Sequence, residues 1–167
     1  MAQSRRTYNR VFNHIGVSAP NAEATVDWYS RVLGFQLLGK ICHIKRSENP
    51  NDPIFGIYPK ELQEVKLAKM VTGNGVGFEI FEFINPRFQE AKAFDYQKSG
   101  FFHVCVTDPH PEELAAKVIA EGGKQIGRTV DPSGKGEIVC LYFSDPWGNI
   151  VEVLDVGFEF MALRSAL

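Results

Sequence analysis

Two histidines and two glutamates stand at matching places in the two halves of this chain, and together they form a donor set for a divalent metal ion. His14 lies in Asn13-His14-Ile15-Gly16-Val17-Ser18-Ala19-Pro20, and His103 in Phe102-His103-Val104-Cys105-Val106-Thr107-Asp108-Pro109. In each stretch a proline follows the histidine by six residues. A helical pattern then stops at a glycine, Gly34 or Gly122, which are 20 and 19 residues beyond their histidines. Glu79 and Glu152 close the halves, each four residues after a glycine (Gly75, Gly148) and each in an otherwise apolar stretch. This is an internal repeat. Imidazole nitrogen and carboxylate oxygen suit zinc, nickel, iron, manganese or cobalt.

Taken singly, each residue has a plainer reading. A lone strand histidine is more often hydrogen-bonded structure, and a lone strand glutamate more often faces water. Their joint placement changes this, because a charge buried without a partner is costly and a metal is one of the few compensations. Glu82 competes with Glu79 but is three residues away, so a strand puts the two on opposite faces. Alignment with Glu152 selects Glu79. His43 and His110 have no counterpart in the other half and read as surface residues.

The elements that must position these residues follow from turn and cap signals. A strand over 11–18 leads through Pro20 to a helix capped by Asn21, which ends at Gly34. Phe35 to Ile44 reads as a second strand. Residues 47–60 hold three prolines and a glycine and form a long loop, of the kind that makes a lid or a substrate wall. Strands at 63–72 and 76–84 are joined by Thr72-Gly73-Asn74-Gly75, a hairpin signal. A polar connector over 85–99 precedes the second half. There a strand over 101–107 leads to a helix with Pro111 at its first position and a stop at Gly122-Gly123. Strands near 125–130, 137–144 and 149–155 follow, the last two joined by Asp145-Pro146-Trp147-Gly148. Each half thus reads β-α-β-β-β. Strand alternation lets His14, His103 and Glu152 point away from the helix layer.

The chain has 167 residues, 44% hydrophobic and 23% charged, with a net charge of −2. That is ordinary for a globular domain, and the basic pairs Arg5-Arg6 and Lys45-Arg46 are too short for a nucleic-acid footprint. No apolar run is long enough for a membrane span, and the N-terminus lacks the apolar core of a secretory signal. Three cysteines without a CxxC pattern point to a reduced protein, and the expected compartment is the cytoplasm. The thirteen phenylalanines read first as core.

The paired modules, the His14 and His103 strands, Val32-Leu33-Gly34-Phe35, and Asp145-Pro146-Trp147-Gly148-Asn149-Ile150-Val151-Glu152 resemble the vicinal oxygen chelate superfamily, and within it the glyoxalase I-like proteins. The resemblance implies an α+β fold of two βαβββ modules forming a cupped, partly open, barrel-like site. It sets an N-terminal arm at 1–10, one domain at 11–156 (module one 11–84, connector 85–99, module two 100–156) and a tail at 157–167. One divalent metal would be held by His14, Glu79, His103 and Glu152, with His14 near His103 and Glu79 near Glu152 across a pseudo-twofold.

The implied activity is that of a lyase or isomerase moving a proton next to a carbonyl through a metal-stabilised enediolate. Glu152 and Glu79 would be the catalytic carboxylates, and Glu152 the favoured base. The substrate would be a small molecule with neighbouring oxygens, and the protein a homodimer that binds neither nucleic acid nor membrane. Gly16-Val17-Ser18-Ala19 carries no cation, and Phe83 stands four residues after Glu79 where many glyoxalase I enzymes have asparagine. Lactoylglutathione lyase activity is therefore not expected, and the phenylalanine-rich strands suit a more apolar or aromatic substrate. Two alternatives within the resemblance are an extradiol-type iron(II) dioxygenase using His14, His103 and Glu152, and a metal-free binding protein of the resistance type.

Overall fold

The computed structural model describes residues 9–90 and 94–165. Most of the expected arm, residues 1–8, and the last two residues of the tail lie outside them. The first half runs β1 (His14–Ser18), α1 (Ala22–Leu33), β2 (Gln36–Leu37), β3 (Cys42–Lys45), α2 (Ile54–Ile57), β4 (Glu64–Val71) and β5 (Gly77–Asn85). The second runs β6 (Val104–Thr107), α3 (Pro111–Ala120), β7 (Lys124–Val130), β8 (Cys140–Ser144) and β9 (Ile150–Leu154), followed by α4 (Phe158–Ser165). The sheets have the orders β1-β5-β4-β2, with β3 also on β4, and β6-β9-β8-β7. Neither sheet closes on itself, so the molecule is an α+β protein with two open sheets. In each, an edge strand that begins at or just after the histidine runs parallel to the glutamate-bearing strand.

Local chemistry accounts for the helices. The Asn21 side chain accepts from the Ala24 N–H, and Gly34 ends α1 at φ 72°, a left-handed conformation that glycine takes without penalty. The Ala22 N–H donates to Glu82 Oε2 at 2.8 Å, which places Glu82 in the helix layer. Pro111 opens α3 as expected, with Glu112 and Glu113 in its first turn, where the helix dipole favours acids. The expected strand over 35–44 is broken into β2 and β3, with Gly39 between them at φ 74°. The expected strand over 101–107 pairs only from Val104.

One apolar core joins the halves. Val26, Trp28, Tyr29 and Val32 of α1 pack with Leu114, Ala115 and Val118 of α3, and both sheets add their inward rows: Phe78 and Ile80, Val151 and Val153. Polar bonds reinforce the contact. Trp28 Nε1 donates to the Glu121 carbonyl at 2.9 Å, and the Tyr29 hydroxyl donates to Asp145 Oδ2 at 3.0 Å.

The outer edges of β1 and β6 face each other in opposite directions. A cavity of about 480 Å³ lies between Ile15 and Gly77 on one side and Val104 to Asp108 on the other. A second, of about 360 Å³, lies between Ile15 to Ser18 and Phe101 to Val104. The start of β1 is therefore beside the end of β6, and the reverse.

Candidate metal centre

Ile15, Val17, Phe78, Ile80, Val104, Val106, Val151 and Val153 all pack into the helix-side core. Strand alternation then puts His14, Glu79, His103 and Glu152 on the opposite, open faces. The register sets Gly77 beside His14 and Gly16 beside Glu79. A Cβ on Gly77 would lie 2.8 Å from the His14 Cβ, so only glycine leaves His14 where it is. A Cβ on Gly16 would meet the Phe81 ring at 3.2 Å.

Each histidine stands beside the glutamate of its own half. His14 Nε2 is 3.7 Å from Glu79 Oε2, and His103 Nε2 is 3.1 Å from Glu152 Oε2. This differs from the expected neighbours, His14 with His103 and Glu79 with Glu152. The physical reason is the antiparallel seam: β1 and β6 run in opposite directions, so histidines at their starts lie at opposite ends of it. Among the described residues, no three or more His, Cys, Asp or Glu side chains are grouped so as to hold a metal within one chain.

The two pairs nevertheless have the chemistry of half-sites. Two donors about 2.0–2.2 Å from one ion and at right angles to it stand about 3 Å apart, close to the His103–Glu152 separation. His14 Nδ1 donates to Asn13 Oδ1 at 2.7 Å, since an amide oxygen only accepts, so Nε2 is the ring nitrogen turned toward Glu79. His103 Nδ1 is buried and has no hydrogen-bond partner among the described residues, an arrangement that calls for a ligand or a second polar group nearby. The His–Glu donor pairs, through Nε2 of each histidine, fit a divalent ion.

Glu152 is the more enclosed carboxylate, with a side-chain exposure of 14% against 24% for Glu79. It lies in register between Cys105 and Tyr142. The Cys140 thiol donates to Glu152 Oε1 at 3.2 Å. Burial, with the Glu152 charge nearby, pushes the Cys105 and Cys140 thiols up to about 12 and the Tyr142 phenol upward as well. All three are therefore neutral at ordinary pH. The turn before β9 is held by Asp145, whose Oδ1 accepts from the Trp147 and Asn149 N–H groups, while its Oδ2 accepts from Asn149 Nδ2 at 2.7 Å. Burial raises the Asp145 carboxyl against these bonds.

Several neighbours were not singled out in the sequence. Lys69 pairs in register with Glu79, and Cys140 and Tyr142 share the face of Glu152. The period-two alternation Val65-x-Leu67-x-Lys69 is a signal for the first of these. His43 forms a surface pair with Glu64 at 2.7 Å, and His110 is exposed at the start of α3.

Residues 11–153 match the model of the family described as the Glyoxalase/Bleomycin resistance protein/Dioxygenase superfamily. Among solved structures, a glyoxalase family protein from Bacillus cereus is similar at 16% identity, covering 92% of this chain and 97% of that one, with a TM-score of 0.70. The fosfomycin resistance protein FosX from Listeria monocytogenes, solved with Mn(II) and sulfate, matches at 10% identity over 92% and 97%, TM-score 0.56. The trypanothione-dependent glyoxalase I of Leishmania major matches at 14% identity over 95% and 93%, TM-score 0.56. No curated protein matches the chain. Identities this low establish the fold alone.

Proposed function

Because the chain belongs to the Glyoxalase/Bleomycin resistance protein/Dioxygenase superfamily, we propose that it is a metal-dependent lyase or isomerase of the glyoxalase I-like type, moving a proton at a carbon next to a carbonyl. The observation that carries this reading is the repeat of one histidine beside one glutamate on the open face of each sheet. The ion would be zinc, nickel, iron, manganese or cobalt, and when bound it supplies a Lewis acid that polarises the substrate's neighbouring oxygens. We further propose a homodimer in which His14 and Glu79 of one copy meet the partner's His103 and the partner's Glu152. Exposed apolar residues flank both histidines: Val11 and Phe12 before His14, and Phe101 and Phe102 before His103. A second copy over the open faces would cover them.

Within this reading the chain's own residues divide the work. The histidines hold the ion, with Asn13 orienting His14. Glu152 is the base, taking a proton on its carboxylate, one oxygen of which accepts from the Cys140 thiol. Glu79 is the second carboxylate, on the other side of the shared centre. Lactoylglutathione is not the substrate in this proposal, because no cation stands at positions 16–19 and Phe83 lies on the open face.

The test compares variants by metal content and by solvent deuterium exchange into a bound 2-oxo or 2-hydroxy compound. Glu152→Gln is expected to keep most of the metal and lose exchange. His14→Ala and His103→Ala are expected to lose the metal. Full exchange in Glu152→Gln would remove Glu152 as base, and unchanged metal in both histidine variants would remove the metal-dependent reading.

A further inference from the structure

The open face of the first sheet carries more than the histidine–glutamate pair. Ala68 and Met70 are buried in the helix-side core, so Lys69 between them stands on the open face, directly across from Glu79. Lys69 is exposed and forms no ion pair among the described residues. Further along β5, Phe81 and Phe83 follow Glu79 on the same face. Their rings stack at 5.7 Å with only 10° between their planes. Tyr58, from the loop between β3 and β4, lies against both, at 6.1 and 5.9 Å. The rings are half-buried, resting on the apolar cluster of Ile54, Phe55, Leu62 and Val65 and sharing the sheet face of Glu79. Tyr58 is near enough to Glu79 that the carboxylate adds to burial in raising its phenol.

The second half-site is walled in the same way. Phe102 and Tyr142 lie edge-on to the His103 ring at 4.6 and 5.3 Å. Phe94 packs on both Phe102 and Tyr142, at 6.2 and 6.1 Å. Its φ of 44° lies in the left-handed region that phenylalanine rarely adopts. Such a conformation persists only where the surroundings fix it, and it clusters at functional sites. Both ends of the proposed centre thus present flat apolar rings, and one of them adds Lys69, which has no ion-pair partner among the described residues.

Resting on the metal-dependent reading above, we infer that the substrate is an aromatic 2-oxo or 2-hydroxy acid. Its neighbouring oxygens face the histidine–glutamate pairs, its ring lies against Tyr58, Phe81 and Phe83, and the outer oxygen of its carboxylate faces Lys69. The spacing suits such a molecule: Lys69 is level with Glu79, and the first ring, Phe81, is one pleat along. A flat ring meets the stacked pair with little loss of conformational freedom. An ammonium beside an anionic group at a partly covered site adds both affinity and orientation. Isomerisation of such an acid moves one proton from carbon to oxygen, or from one face of the carbon to the other. It needs no oxidant, reductant or second substrate.

The experiment titrates the metal-loaded protein calorimetrically with phenylpyruvate, with pyruvate, and with the uncharged 1-phenylpropane-1,2-dione. Wild type is compared with Lys69→Met and Phe81→Leu, and circular dichroism checks each fold. Wild type should bind phenylpyruvate about tenfold more tightly than either comparison compound, the scale of one stacking or one charge-assisted contact. Lys69→Met should abolish the preference over the uncharged diketone and keep the preference over pyruvate. Phe81→Leu should do the opposite, and Tyr58→Leu reports on the same wall should Phe81→Leu not fold. A metal-loaded wild type that does not distinguish the three compounds overturns this inference alone. A wild type that takes up no divalent metal overturns the metal-dependent reading beneath it as well. Preferences unchanged in Lys69→Met and in the ring-wall variant would also overturn the assignment.

Discussion

His103 has one ring nitrogen beside a carboxylate and the other buried with no hydrogen-bond partner among the described residues. His14 has both accounted for, one by Asn13 and one near Glu79. A buried imidazole nitrogen without a partner costs about 1–3 kcal/mol, and because it is the nitrogen turned away from Glu152, an ion at Nε2 leaves that cost in place. The first half-site is limited instead by space. Gly77 is the residue that sets it, because a methyl group there would push on the His14 Cβ. Gly77→Ala is therefore expected to lower metal affinity by roughly 10-fold or more, the range seen when a ligand's orientation is disturbed. Far-ultraviolet circular dichroism should change little. Metal titration of the variant checks this, and wild-type affinity would mean that His14 does not hold the ion.

At the scale of elements, the site depends on how α1 is fastened to the turn before β9. The Tyr29 hydroxyl reaches Asp145 across 116 residues of sequence, and Asp145 in turn fixes the backbone that leads to Glu152. Tyr29→Phe removes one of four donors to a buried carboxylate and should cost about 1–2 kcal/mol, read as a lower urea midpoint. Asp145 also gives stability a pH dependence. Burial raises its folded pKa, so between the ordinary carboxylate value and the raised one the folded protein keeps a proton that the unfolded chain has released. Stability due to this group therefore falls as pH rises through that interval. Asp145→Asn should remove that slope, though it also loses the acceptor for Asn149 Nδ2 and lowers stability throughout. Urea titrations from about pH 4 to pH 7 test this, and an unchanged slope in the variant would assign it elsewhere. Between α3 and β7, Gly123 is packed so closely that a Cβ would lie 2.5 Å from Val118 Cγ1 and 2.6 Å from the Ser144 carbonyl. Gly123→Ala should therefore be destabilising at the junction of helix and sheet.

The whole molecule raises the question of where the two half-sites meet. In one chain the antiparallel seam separates them, whereas a dimer can set one half against the other half of a second copy. Mixing His14→Ala protein with His103→Ala protein tests this directly. A mixed dimer holds one site with both defects and one with neither. Since half of randomly mixed dimers are of this kind, about a quarter of wild-type metal binding should return. No recovery after mixing and refolding would place the site within a single chain. Light scattering at micromolar concentration should give a dimer. Among the described residues no helix is long and apolar enough to cross a membrane. The tail forms α4, whose Met161 packs on the body beside Ile138 and Leu154, while Phe158 and Leu163 stay exposed.

The sequence by itself determined what is local or repeated. Asn21, Gly34 and Pro111 carry their helix boundaries because caps and stops are set by the residues themselves. The matched histidine and glutamate positions marked two β-α-β-β-β halves, since the repeat of turns and periods is written along the chain. Alternation set Glu79 and Glu82 on opposite faces and the repeat chose Glu79, and the structure puts the Glu82 carboxylate at the start of α1. What only the tertiary structure decided depends on contacts between distant strands. No local signal says that β1 lies parallel to β5, which brings His14 to Glu79, or that β1 and β6 meet head to tail, which keeps the two histidines apart. Lys69 reads as an ordinary surface lysine until the β4–β5 register sets it opposite Glu79. Register is fixed by the buried faces of whole strands, and that is information no short stretch contains.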